Sequence, residues 1–144
     1  MRRLLPGILL FALLTGVAGC DDETEIPNTP TNPSNPSTPA TTITFDGTLT
    51  RNGAAATTFT ATAGGTVTAT LTTLAPDAAL PVGLSLGAWT GSACQVSGIS
   101  NDAAVQGSVV TGTVTSAAAL CVRIYDAAEK VTAPMTFTIT IVHP

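Results

Sequence analysis

The stretch GTVTATLTTL, residues 65–74, sets Val67, Ala69 and Leu71 against Thr66, Thr68, Thr70 and Thr72. A period of two places the apolar set on one side of an extended chain and the hydroxyls on the other, the pattern of a strand with one buried and one wet face. Threonine adds to this preference, because its branched Cβ fits the pleated surface of a sheet better than the crowded flank of a helix. The same alternation continues on either side. In TITFDGTLT, residues 42–50, Ile43, Phe45 and Leu49 face away from the threonines, and in ATTFTAT, residues 56–62, Phe59 and Ala61 share a face. Near the C-terminus, Met135, Phe137, Ile139 and Ile141 point one way while Thr136, Thr138 and Thr140 point the other.

Further strands are predicted at Val82–Ala88, Ser108–Val114, Leu120–Tyr125 and Met135–Val142, with Arg51-Asn52-Gly53 and Gly64-Gly65 as turns. Seven or eight short antiparallel strands, each with one wet face, must bury the other face against a second sheet or close into a barrel. The expected fold is an all-β, antiparallel, jelly-roll-like sandwich over residues 41–144. Its uncharged, threonine-covered outer faces raise the question of edge-to-edge association. Pro134 and the acids from Asp126 to Glu129 are expected to blunt one edge.

What precedes this domain has a different character. Met1-Arg2-Arg3 leads into LLPGILLFALLTGVAG, residues 4–19, an apolar run too short for a comfortable span and followed at once by acids, as in an export signal. It ends in VAGC, Val17–Cys20, which resembles the lipobox of bacterial lipoproteins. That resemblance implies cleavage after Gly19 and acylation of Cys20, hence a partner in the lipid bilayer and a place in the cell envelope. Two or more acyl chains hold a protein stably at a membrane where one does not. The alternative is an ordinary signal peptide cut after Ala18 or Gly19. Asp21 resembles the inner-membrane retention signal of enteric bacteria, a rule that does not extend to all bacteria, so the choice of membrane stays open.

Residues 20–40 form a tether. In DDETEIPNTPTNPSNPSTPA, residues 21–40, only Ile26 and Ala40 are apolar, so no core can form and a disordered, proline-rich linker is expected. Pro27, Pro30, Pro33, Pro36 and Pro39 recur at the three-residue period of a polyproline II helix, giving a reach of about 60 Å at about 3.1 Å per residue.

Only 10% of residues are charged and the formal charge is −4, becoming −6 once Arg2 and Arg3 leave with the leader. Such a chain cannot neutralise a row of phosphates, which argues against nucleic acid as a partner. Export makes a disulfide between Cys94 and Cys121 the default pairing, with two buried free thiols as the alternative. Neither cysteine has a nearby His or second Cys for a zinc site. No EF-hand loop, phosphate loop or dinucleotide fingerprint occurs, so no cofactor or metal is expected. The alternative that spacing leaves open is a carboxylate pair or calcium site assembled by folding from Asp46, Asp77, Asp102, Asp126 and Glu129, which are scattered in sequence.

Strand patterning in GTVTATL, VGLSLG and GTVTSAAALCVRIYDAAEKVTAPMTFTITIVHP, residues 65–71, 82–87 and 112–144, resembles the bacterial pre-peptidase C-terminal domain. That resemblance implies a β-sandwich accessory module for binding, secretion or stability. VGLSLG stands where many members of that family carry aspartates, so their calcium site is not carried over.

One string looks catalytic. Gly83-Leu84-Ser85-Leu86-Gly87 matches G-x-S-x-G, but a nucleophile elbow needs a sharp strand-to-helix turn. Here Val82, Leu84, Leu86 and Ala88 alternate straight through, making Ser85 an outward strand residue, and His143 is the only histidine. A serine hydrolase using Ser85 and His143 is therefore the minor alternative to a non-enzymatic module. Arg123 and Tyr125 fall on the face opposite Leu120 and Val122, expected to be solvated or covered by the disulfide; as the alternative, they and Trp89 are the candidate binding surface for an envelope protein or a glycan. For Trp89, core or rim packing competes with a sugar-stacking role.

Overall fold

The computed structural model describes residues 39–144; the leader, Cys20 and the proline-rich segment as far as residue 38 lie outside them. Eight strands follow one another: β1 (Thr41–Leu49), β2 (Ala54–Ala61), β3 (Gly65–Ala75), β4 (Val82–Trp89), β5 (Cys94–Ala104), β6 (Val109–Val114), β7 (Ala118–Tyr125) and β8 (Met135–His143). They build two four-stranded antiparallel sheets, ordered β1-β8-β3-β6 and β2-β7-β4-β5. Successive strands change sheet at every step except β4 to β5, and this interleaving is the winding of an eight-stranded jelly roll.

Alternation in the sequence decides which face of each strand is buried. From the first sheet, β8 contributes Met135, Phe137, Ile139 and Ile141, and β3 contributes Val67, Ala69, Leu71 and Leu74. From the second, β4 contributes Val82, Leu84 and Leu86, and β7 contributes Leu120, Val122 and Ile124. Burying each of the larger side chains stabilises the fold by about 1.5–3 kcal/mol, before the entropy of ordering the chain is set against it. The spacing from Leu71 to Leu74 breaks the two-residue period, and the register between β3 and β8 shifts there. One extra residue in the doubled Thr72-Thr73 makes a bulge that restores Leu74 to the core.

The two predicted turns are corners between sheets, because β1, β2 and β3 do not pair with one another. At the first, Asn52 takes a φ of 54°, a left-handed conformation that asparagine tolerates, and Gly53 N–H donates to Thr50 O at 2.9 Å. Asp126, just past β7, holds this corner: its carboxylate accepts from the backbone N–H groups of Asn52 at 3.0 Å and Lys130 at 2.8 Å. Partial burial pushes the Asp126 carboxyl up. The N–H donors of Asn52, Val131 and Lys130 and the charge of Arg51 outweigh it, so the group titrates below the usual carboxylate range.

The edges differ from those expected. β7 and β8 are interior strands, so neither Pro134 nor the acids from Asp126 to Glu129 guard an edge; the edges are β1 and β6 of one sheet and β2 and β5 of the other. Strand β5 is an addition to the segments predicted from periodicity. Its sequence CQVSGISNDAA lacks alternation because the strand lies at an edge, mostly exposed, and slips register twice against β4.

Candidate functional site

Among the residues singled out in the sequence, Ser85, Trp89, Cys121, Arg123 and Tyr125 belong to the outer face of the second sheet. Leu120, Val122 and Ile124 point into the core, which turns Cys121, Arg123 and Tyr125 outward. On the neighbouring strand β4, the register partners of these three are Gly87, Ser85 and Gly83 respectively. Bulky residues on β7 therefore stand beside a groove of small ones on β4.

Two cross-connections close that groove. Tyr125 reaches from β7 across β4, its hydroxyl donating to Asp102 Oδ1 on β5. Its ring occupies the space above Gly83, where a Cβ would fall within 2.6 Å of the ring's Cδ2. The second connection is the disulfide between Cys121 on β7 and Cys94 on β5, with Cα atoms 5.7 Å apart. Strands separated by one intervening strand ordinarily lie about 9.6 Å apart, at about 4.8 Å per step. The shorter span is reached because β5 rises over β4 at Gly87, where a Cβ would come within 2.7 Å of the Gln95 carbonyl carbon. Both glycines of the G-x-S-x-G string are thus explained by what passes above them.

Ser85 lies between the two straps. It is on the outer face, as the alternation requires, yet it is covered: 1% of its surface is exposed, and its hydroxyl donates to Arg123 O at 3.4 Å. Its register partners on either side are Arg123 on β7 and Ser100 on β5. His143 faces the interior from the other sheet, its ring 4.9 Å from that of Phe59. Ser85 and His143 therefore stand on opposite sides of the second sheet and share no site.

Arg123 is exposed, with its guanidinium carbon 5.0 Å from the centre of the Tyr125 ring, in cation–π range. Burial raises the Tyr125 hydroxyl above its ordinary pKa, the bond to Asp102 and that carboxylate's charge raise it further, and Arg123 pulls it partly back. The chain has one tyrosine, so an ultraviolet titration reads it directly. Its phenolate is expected to appear above the ordinary value of about 10. In Asp102→Asn the midpoint moves back toward that value; an unchanged midpoint would remove the Asp102 contact from the account.

Trp89 sits on the same face at the other end of β4, partly buried. It is six residues from Gly83, the register partner of Tyr125, or about 20 Å along the strand. Trp89 and Tyr125 do not form one stacking platform. Asp102 and the rest of β5 are silent in the sequence, since their place in the face depends on two register slips that carry no motif. Among the described residues, no group of three His, Cys, Asp or Glu side chains could hold a metal ion.

A cleft of about 180 Å³ opens elsewhere, between the sheets where β5 and β6 run side by side. Val67, Leu86, Ile99, Val114 and Leu120 line it, with the exposed Ser97 among the remaining wall residues. No protein-family profile matches the chain, and no curated protein matches it in sequence.

Proposed function

We propose that this chain is an exported, non-enzymatic lipoprotein of the bacterial cell envelope, acylated at Cys20, that carries a disulfide-bonded jelly roll on a proline-rich tether and acts by binding or scaffolding. The order of the parts carries the reading: a lipobox-like VAGC, a segment unable to form a core, and one clamped sandwich. The Cys94–Cys121 disulfide supports it, because such bonds persist in oxidising compartments outside the cytosol. The burial of Ser85 and its separation from His143 support a module without hydrolytic chemistry.

Anchorage is tested by fractionation. The wild-type protein is expected in the membrane fraction and Cys20→Ser in the soluble or unprocessed fraction, with the disulfide formed wherever the variant is exported. Equal partition of the two proteins would sink the lipid anchor while leaving the folded module untouched.

A further inference from the structure

We infer that the edge formed by β5 and β6 is a strand-addition site, at which an extended, uncharged segment of a partner protein pairs with β6 and seats one aromatic or large aliphatic side chain in the adjoining cleft. This deepens the reading of the domain as a binding module and does not depend on the lipid anchor.

The backbone geometry comes first. Among the described residues, β6 pairs with β3 on one side and with no strand on the other. Leu71 N–H donates to Ser108 O at 2.9 Å, and Ala69 lies opposite Val110. Hydrogen-bonding direction alternates along an antiparallel strand, so the N–H and C=O groups of Val109, Thr111 and Thr113 point to the free side. β6 has no Lys, no Pro and no charge, the devices that ordinarily blunt an edge. The neighbouring edge strand β5 is distorted by two register shifts and a φ of 77° at Gly98, which leaves β6 the more regular template.

The side chains point to the same edge. Among the described residues, the exposed large hydrophobics are Val96 at 38% and Val109 at 51%, one on each of these strands. An added strand alternates its side chains, so residues on one face would cover Val109 while those on the other would enter between the sheets. There they meet the apolar cleft, whose volume of about 180 Å³ resembles the roughly 150 Å³ of a protein cavity that takes a benzene ring. In strand addition, main-chain bonds supply affinity and such pockets supply selectivity.

Charge sets the partner's character. The acids and bases of the described fold are Asp46, Asp77, Asp102, Asp126, Glu129, Arg51, Arg123 and Lys130, and none lies on β6 or lines the cleft. A segment docking there gains nothing from charge and would have to desolvate any it carried. The chain enters the fold at β1, the opposite edge of the same sheet, so the proposed edge is not the one nearest the point of entry.

The test uses the full chain carrying Cys20→Ser, so that no lipid is attached, and the synthetic peptide acetyl-TVTFTVT-amide. Amide hydrogen exchange at Val109, Thr111 and Thr113 is expected to slow on adding the peptide. Replacing its central Phe by Ala should weaken binding about tenfold or more. Thr111→Pro removes one free-side N–H at an edge position where proline is tolerated, so it should abolish binding while the disulfide and circular dichroism stay unchanged. Ser97→Trp, an exposed substitution at the cleft, should discriminate against the Phe peptide more than the Ala peptide. Unchanged exchange at β6 with excess peptide, or binding that survives Thr111→Pro, would overturn the inference. So would protection of β6 that grows with protein concentration in the absence of peptide, which would make the occupant a second copy.

Discussion

Removing the disulfide through Cys94→Ala with Cys121→Ala is expected to lower stability by about 3.5 kcal/mol, the chain-entropy value for a loop of this length. The two cysteines are 27 residues apart, and the loop between them contains β6 and most of β5. Total stabilities of small domains run from about 5 to 15 kcal/mol, so the clamp supplies a large share. It also acts locally. β5 is an edge strand with two register slips, and besides its pairing with β4 it is fastened to β7 by the disulfide and by the Tyr125–Asp102 bond. Urea unfolding measures the loss, and amide exchange should show β5 opening before the rest. A loss under about 1 kcal/mol, within the range of an ordinary hydrogen bond, would mean that strand pairing alone holds β5.

Gly87→Val is expected to be as damaging, at about 3 kcal/mol or more, because it adds overpacking to the loss of the clamp. A Cβ at this position meets the backbone of Gln95 and Val96 rather than the end of a flexible side chain. Relief therefore requires β5 to lift away from β4, and the Cys94–Cys121 closure depends on β5 staying low. Thiol labelling of the purified variant should find a substantial fraction of Cys94 and Cys121 reduced, with a lowered urea midpoint. Full disulfide formation at wild-type stability would contradict the close passage of β5 over Gly87.

These two results bear on how much of the molecule its sequence discloses. Threonine alternation in β1, β3 and β8 is enough to place the core, since a period of two on one buried face leaves little choice of register. It also announces its own exception, where the doubled Thr72-Thr73 marks the bulge in β3. The opposite holds for β5, whose half-exposed residues need no alternation and whose position is set by Cys94, Asp102 and two slips in pairing. The alternation of Val82, Leu84, Leu86 and Ala88 is enough to reject a nucleophile elbow, yet the role of Gly87 depends on the strand that leaves no pattern and that of Gly83 on the ring of Tyr125. Edges are hidden for a related reason. Pro134 precedes a strand that the jelly-roll winding carries to the interior of its sheet, a matter of connectivity that local residue preferences do not encode.

The same division applies to the candidate site. Parity assigns Arg123 and Tyr125 to the outer face, and the structure brings them together with Asp102. Trp89 shares that face but stands about 20 Å along β4 from the position paired with Tyr125, a separation fixed by register. The cleft between β5 and β6 draws its lining from strands scattered along the sequence, and no motif marks it.

The central claim is that this jelly roll is displayed from a membrane by a lipid on Cys20, and mass spectrometry of the N-terminal peptide of the membrane-extracted protein tests it most directly. The account predicts a chain beginning at Cys20 and carrying the added mass of a diacylglyceryl group, with or without a further acyl chain. A mature chain beginning elsewhere, or an unmodified Cys20, would contradict it.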